Sequence, residues 1–266
     1  MKYIKLSLLA MLLMSISTSC FKMEEEDIFD ENAATRIDHA IKNYTDILTD
    51  KGGKWMLEYY ANADEPGYVY LMTFNKNGSV QMSGKNVYIG DLKGVDNSSV
   101  FASEESLWEV IGDNGPVLTF NSFNPIFHLF ANPEDITKTE TDEQGYGHEG
   151  DYEFDIMKYS GDTLYLDGKK YEHHMIMTRL QDVNDDEAFF TSLDEFATEF
   201  TTLIPELYLT TPSGKRYVCS GAASMIWSMY PEGGDPIMET KTYNAILNPT
   251  GVRFMNPLSI LADGGD

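Results

Sequence analysis

The sequence predicts a mainly β protein with two flanking helices, folded as an antiparallel β-sandwich or a small barrel. Three observations carry that reading. A two-residue hydrophobic period runs from Trp55 to about Leu180, helical periods bracket it at residues 28–48 and 185–204, and glycine-bearing turns punctuate the alternating stretch. The chain has 266 residues, 42% of them hydrophobic and 12% aromatic, which is enough for a packed core and excludes wholesale disorder. Lys and Arg total 19 against 43 Asp and Glu, a formal charge of -24. Nucleic-acid affinity rests on clustered cations, so a charge this negative speaks against a nucleic-acid partner and against adsorption to anionic lipid.

The first twenty residues stand apart. Lys2 and Lys5 form a basic head, Leu6 to Ile16 an apolar stretch, and Ser17, Thr18 and Ser19 a small-residue exit before Cys20. A bilayer core needs about 20 apolar residues, so this stretch reads as a signal peptide over residues 1–19 and not as a membrane span. Its end resembles a bacterial lipobox, in which Cys20 is lipidated and becomes the new N-terminus. Lys22 followed by Glu24, Glu25, Glu26 and Asp27 makes residues 20–27 an acidic tether. That pattern resembles the surface-export signal of Bacteroidetes lipoproteins, which implies an outer-membrane protein facing the cell exterior. A plain secretory peptide and a periplasmic spacer are the bland alternatives.

Two body segments follow, 28–180 and 181–266. In the first, Ile37, Ile41, Tyr44 and Leu48 recur at helical steps, and Gly52-Gly53 offers a left-handed close. Trp55, Leu57 and Tyr59 then alternate with Met56, Glu58 and Tyr60. Tyr68 to Phe74 leads through Asn75-Lys76-Asn77-Gly78 into Val80 and Met82, a hairpin signal. Leu107 to Ile111, Val117 to Phe120, and Tyr152, Phe154 and Ile156 read as strands. Thr163 to Leu166 and Tyr171 to Thr178 flank a turn expected at Asp167-Gly168. The second segment opens with a helix striped by Phe189, Leu193, Phe196, Phe200 and Leu203, capped by Asp185 or Asp186 and ended by Pro205. Short strands at Tyr217 to Cys219, Met225 to Tyr230, Tyr243 to Leu247 and Val252 to Phe254 form a smaller β unit, which is either shortened or gives its last strands to the first sheet.

Chemistry-bearing motifs are few. Cys219 is read as a small buried hydrophobe, because no base lies near it in sequence. His173 and His174 are adjacent in a strand and so point to opposite faces; a zinc site there needs further ligands, for which His128 and His148 are the candidates. Asp142, Gln144, Gly147 and Glu153 fit part of a calcium-loop frame, but Tyr146 stands where a carboxylate belongs and no helices flank it, so at most a weak Ca2+ contact is expected and no resident cofactor. Carboxylates are too abundant for any pair to stand out for acid–base work, and no hydrolase elbow, phosphate loop or metalloprotease helix occurs. Aromatic residues near turns or weak strands, Trp108, Tyr146, Trp227 and Tyr230, are the candidate ligand-binding residues, against a core role for each.

One family resemblance emerges. The stretches from Gly115 to His128 and from Gly147 to Phe154 resemble blocks of a Bacteroidetes lipoprotein family known as a domain of unknown function, DUF4302. With the leader, the first helix and Gly53-Lys54-Trp55, the similarity runs over most of residues 20–260. Members resemble envelope lipoproteins often encoded beside TonB-dependent nutrient receptors and their surface binding lipoproteins, and the family carries no catalytic residues to transfer. The resemblance implies a non-catalytic binding accessory to outer-membrane nutrient uptake. A surface hydrolase of polysaccharide or peptide and a structural envelope protein are the alternatives.

Overall fold

A computed structural model describes residues 31–62, 64–95, 97–133, 148–202 and 207–259. The leader, Cys20, the tether, Asp142, Gln144 and Tyr146 lie outside the described residues. The chain divides into two compact units after Asp38. Before that point, Asn32 opens the first helix, α1 (Ala33–Thr49), by accepting the Thr35 amide at 2.9 Å on its side-chain oxygen. Both sheets belong to the unit that begins at His39.

The architecture is mainly β, as the alternation requires, in two curled antiparallel sheets. The larger has nine strands: β1 (Lys54–Tyr59), β2 (Tyr68–Phe74), β3 (Ser79–Asn86), β4 (Val100–Leu107), β5 (Glu109–Gly112), β6 (Pro116–Thr119), β7 (Glu153–Ser160), β8 (Thr163–Gly168) and β9 (His174–Arg179). Their order, β4-β3-β2-β1-β9-β8-β7-β6-β5, places the first and last strands side by side and makes the two edge strands consecutive in the chain. Trp108 is the only residue between those edges. Its amide donates to the Gly78 carbonyl at 3.0 Å and its indole N–H to the Ser79 carbonyl at 3.1 Å, so the chain leaves β3 there and takes up β6. One strand thus changes partners at a bend, and the curl of the sheet encloses a core.

Alternation decides what enters that core. Trp55, Leu57 and Tyr59 point inward with Tyr70, Met72, Phe74, Leu118, Phe154, Leu164 and Met177, while Met56, Tyr60, Val69 and Leu71 face outward and are also buried. The outer cluster is covered by Phe190 of a long helix, α3 (Asp186–Thr202), and by Ile246 of the second sheet. A short helix, α2 (Val87–Leu92), joins β3 to β4, its amide at Ile89 capped by Asn86. The second sheet runs β10 (Leu207–Thr210), β11 (Arg216–Ser220), β12 (Ile226–Pro231), β13 (Lys241–Asn248) and β14 (Gly251–Phe254) in sequence order.

Two local outcomes refine the sequence reading. Gly53 closes the first helical segment at φ +63°, as the Gly-Gly pair promised, and a Cβ there would stand 2.2 Å from the Phe74 carbonyl oxygen. The turn expected at Asp167-Gly168 lies instead at residues 169–173, because Gly168 is the last residue of β8. A Cβ on Gly168 would meet the Asp151 carboxylate at 2.2 Å, so glycine serves there to admit a neighbour.

Candidate functional site

The two blocks singled out in the sequence meet at one end of the nine-stranded sheet. After β6, residues 120–131 fold back into the curl instead of spanning its outside. Asn124 organises this return: its side-chain oxygen accepts the Ile126 and Phe127 amides, each at 3.2 Å, and its amide reaches Ser106 Oγ at 3.3 Å. Ile126, Phe127, Leu129 and Phe130 then fill the core, and Tyr70 donates to the Ile126 carbonyl at 2.8 Å. The 148–153 segment is pinned beside it. Tyr59 donates to the Asp151 carbonyl at 3.0 Å, and the Gly150 amide to the Phe130 carbonyl at 2.8 Å.

Three rings emerge from this packing in a row. Phe123 is 74% exposed, its ring 5.6 Å from that of His128, which lies 5.0 Å from Tyr152, itself 41% exposed. The hydrogen bonds fix the state of the middle ring. His128 Nδ1 accepts the Asn124 amide at 3.1 Å, so the proton sits on Nε2, which donates to the Phe120 carbonyl at 2.8 Å. Burial holds its pKa below the usual imidazole value. A lowered value means that protonation opposes this packing, whose contribution to stability is present above about 6.5 and lost as pH falls through the folded pKa. At neutral pH the row is therefore an uncharged aromatic surface.

Tyr152 continues into a cleft of about 630 Å³ lined by Ala131, Pro133, residues 149–153 and residues 169–171. Its charged groups are largely committed to holding its walls. Asp151 accepts the Lys170 amide at 2.9 Å and the Tyr171 amide at 3.0 Å, yet burial still pushes its carboxyl above the usual range. Glu153 accepts the Thr119 hydroxyl at 3.0 Å, and Lys169 pairs with Asp113. Lys170 lies 4.6 Å over the Tyr171 ring and donates to its hydroxyl at 2.7 Å, which raises the ammonium pKa and keeps it charged. The result is a cleft of mixed polar and apolar lining, with aromatic sides and a lysine ammonium among its groups.

The other candidates fall elsewhere. Trp108 and Trp227 are buried, the first edge-on to Phe74, the second between Phe200 and Phe254. Tyr230 is half-buried on β12. His173 stacks near Tyr171 in the turn, while His174, the first residue of β9, turns to Asp167 at 2.6 Å, so the expected strand does not include His173 and the pair does not share a site. His148 packs under Tyr88 and pairs with Glu65, which also accepts Tyr68 OH at 3.2 Å and Asn62 at 2.8 Å. Among the described residues no three His, Cys, Asp or Glu groups converge as a metal site requires. Cys219 is buried, and burial raises its thiol pKa, which makes it a hydrophobe rather than a nucleophile.

Residues 25–264 match the model of the family described as Domain of unknown function (DUF4302). The chain belongs to that family. No curated protein and no solved structure matches it. Within this DUF4302 chain, sequence reasoning passed over Phe123 in the ring row and Lys170 and Tyr171 in the cleft. The first lay inside a quoted block but was indistinguishable from a core aromatic. The lysine and tyrosine are brought to the cleft by a register that no local pattern encodes.

Proposed function

We propose that this protein is a cell-envelope lipoprotein, held by Cys20 in the outer membrane and facing the exterior, that captures a saccharide without transforming it. It serves as an accessory to nutrient uptake beside a TonB-dependent receptor or a surface binding lipoprotein. The leader, the tether and the acidic composition support the location. The observation that carries the binding role is the neutral His128 ring held between exposed Phe123 and Tyr152, the latter of which also lines the cleft. Sugar rings present C–H faces that stack on uncharged aromatic surfaces, and their hydroxyls match the lysine, tyrosine hydroxyl and backbone groups of the cleft. The non-catalytic reading rests on Asp151, whose two carboxylate oxygens accept the Lys170 and Tyr171 amides, and on Glu153, which accepts the Thr119 hydroxyl.

Isothermal titration of soluble residues 21–266 against neutral and acidic oligosaccharides tests this. At least one glycan should bind. Phe123→Ala and Tyr152→Ala should each weaken it by up to about tenfold, the worth of one aromatic contact, with the unfolding midpoint unmoved. A full panel without binding, or binding indifferent to both changes, defeats the reading.

A further inference from the structure

Helix α3 presents a second, unrelated recess. A groove of about 670 Å³ runs along the helix, walled by Phe189, Leu193 and Phe196 on the helix and by Val183 and Pro249 beside it. The spacing of the helical residues, three and four apart, sets them in one line. From Asp185 to Phe196 that line covers about 16 Å at 1.5 Å per residue, the reach of about five residues of extended chain. Phe189 and Leu193 are only partly buried, with their inner edges on the cluster formed by Phe190, Met56 and Ile246. The acidic groups gather at one end, where Asp182 and Asp185 form the rim with Asn184, and among the described residues no Lys, Arg or His lines the groove. Asp185 is engaged in part, accepting the Ala188 amide at 2.9 Å as the helix cap.

An elongated apolar trough with an acidic end has a complementary shape and charge. We propose that it is a docking site for a peptide segment of a protein partner, with two or three apolar side chains along α3 and a Lys or Arg at the Asp182 end. Two features favour a peptide over a lipid surface: the length of the trough, and an acidic rim on a chain of charge -24, which repels anionic headgroups. This site shares no lining residue with the cleft, so it stands or falls independently of saccharide capture.

The test uses soluble residues 21–266 and a fluorescent peptide with two lysines ahead of four alternating leucine and phenylalanine residues. A counterpart carries glutamates in place of the lysines. Anisotropy should saturate at micromolar protein for the lysine peptide and at least tenfold higher for the glutamate peptide. Asp182→Asn, which leaves the helix cap intact, should weaken the lysine peptide about threefold and flatten its salt dependence. Ser192→Trp, which fills the groove from an exposed position, should abolish binding while the circular dichroism spectrum stays that of the parent. Equal affinity for both peptides, binding untouched by Ser192→Trp, or no binding by either peptide at millimolar protein overturns the proposal. So does full displacement of the peptide by equimolar octylamine, which assigns the groove to small amphiphiles instead.

Discussion

Glu58 shows how one buried charge ties two sheets together. It is 1% exposed on the outer face of β1, where Asn248 donates to Oε1 at 2.9 Å and Arg253 Nε approaches Oε2 at 2.7 Å as an ion pair whose N–H points off the oxygen. Burial outweighs both partners and pushes the carboxyl above its ordinary value. Because the folded pKa is the higher one, the stability associated with this proton is present below about 4.5 and is lost as pH rises through the folded value. Glu58→Gln removes that titration. Urea unfolding between pH 4 and 7 should show the variant gaining on the parent as pH rises, and a constant difference across the range would refute the argument. Nothing in the sequence marked this residue, since Glu58 occupies an outward position in an alternating strand and reads as solvated. Its burial comes from a sheet 190 residues away.

At the scale of elements, the end of α1 depends on a strand far along the chain. Arg179, the last residue of β9, donates to the carbonyls of Ile47 at 2.8 Å and Asp50 at 2.7 Å, reaches Asp162 at 3.1 Å through Nε, and lies 4.2 Å over the Trp55 ring. The Ile47 carbonyl is one a helix leaves unanswered at its C-terminus, the Asp50 carbonyl also accepts the Gly53 amide, and a planar fork reaches both at once. Arg179→Lys should therefore cost about 2–3 kcal/mol in urea unfolding, the worth of the charged hydrogen bonds lost; a variant as stable as the parent would show that charge alone suffices. The elements themselves were largely legible. Both long helices appear within a few residues of their predicted spans, and the Asn77-Gly78 turn has Gly78 at φ +86° as its hairpin demanded. Less legible were β4, where Ser103, Glu104, Glu105 and Ser106 dilute the apolar signal, and α2, too short to show a period. The cleft was legible only as two sequence blocks, because what joins them is the inward fold of residues 120–131.

For the molecule as a whole, the links between the sheets decide how it unfolds. Besides the Glu58 contacts, the Gly67 amide donates to the Ala245 carbonyl at 2.9 Å, and Ile246 shares a cluster with Met56, Leu71 and Phe190. Contacts of this kind leave the five-stranded sheet little core of its own, beyond the cluster around Tyr217, Trp227 and Met229. Calorimetry of residues 21–266 should record one transition; two well-separated transitions would show that the smaller sheet stands alone. The pairing of β1 with β9 has a further bearing on synthesis. A growing polypeptide that has not yet reached residue 174 carries β1 with one side unanswered, and until Arg179 arrives the Ile47 carbonyl lacks this partner too. For the first 179 residues of its elongation, then, the protein exposes an adhesive strand border, and a chaperone or export factor acting before that length meets an open form rather than the closed one.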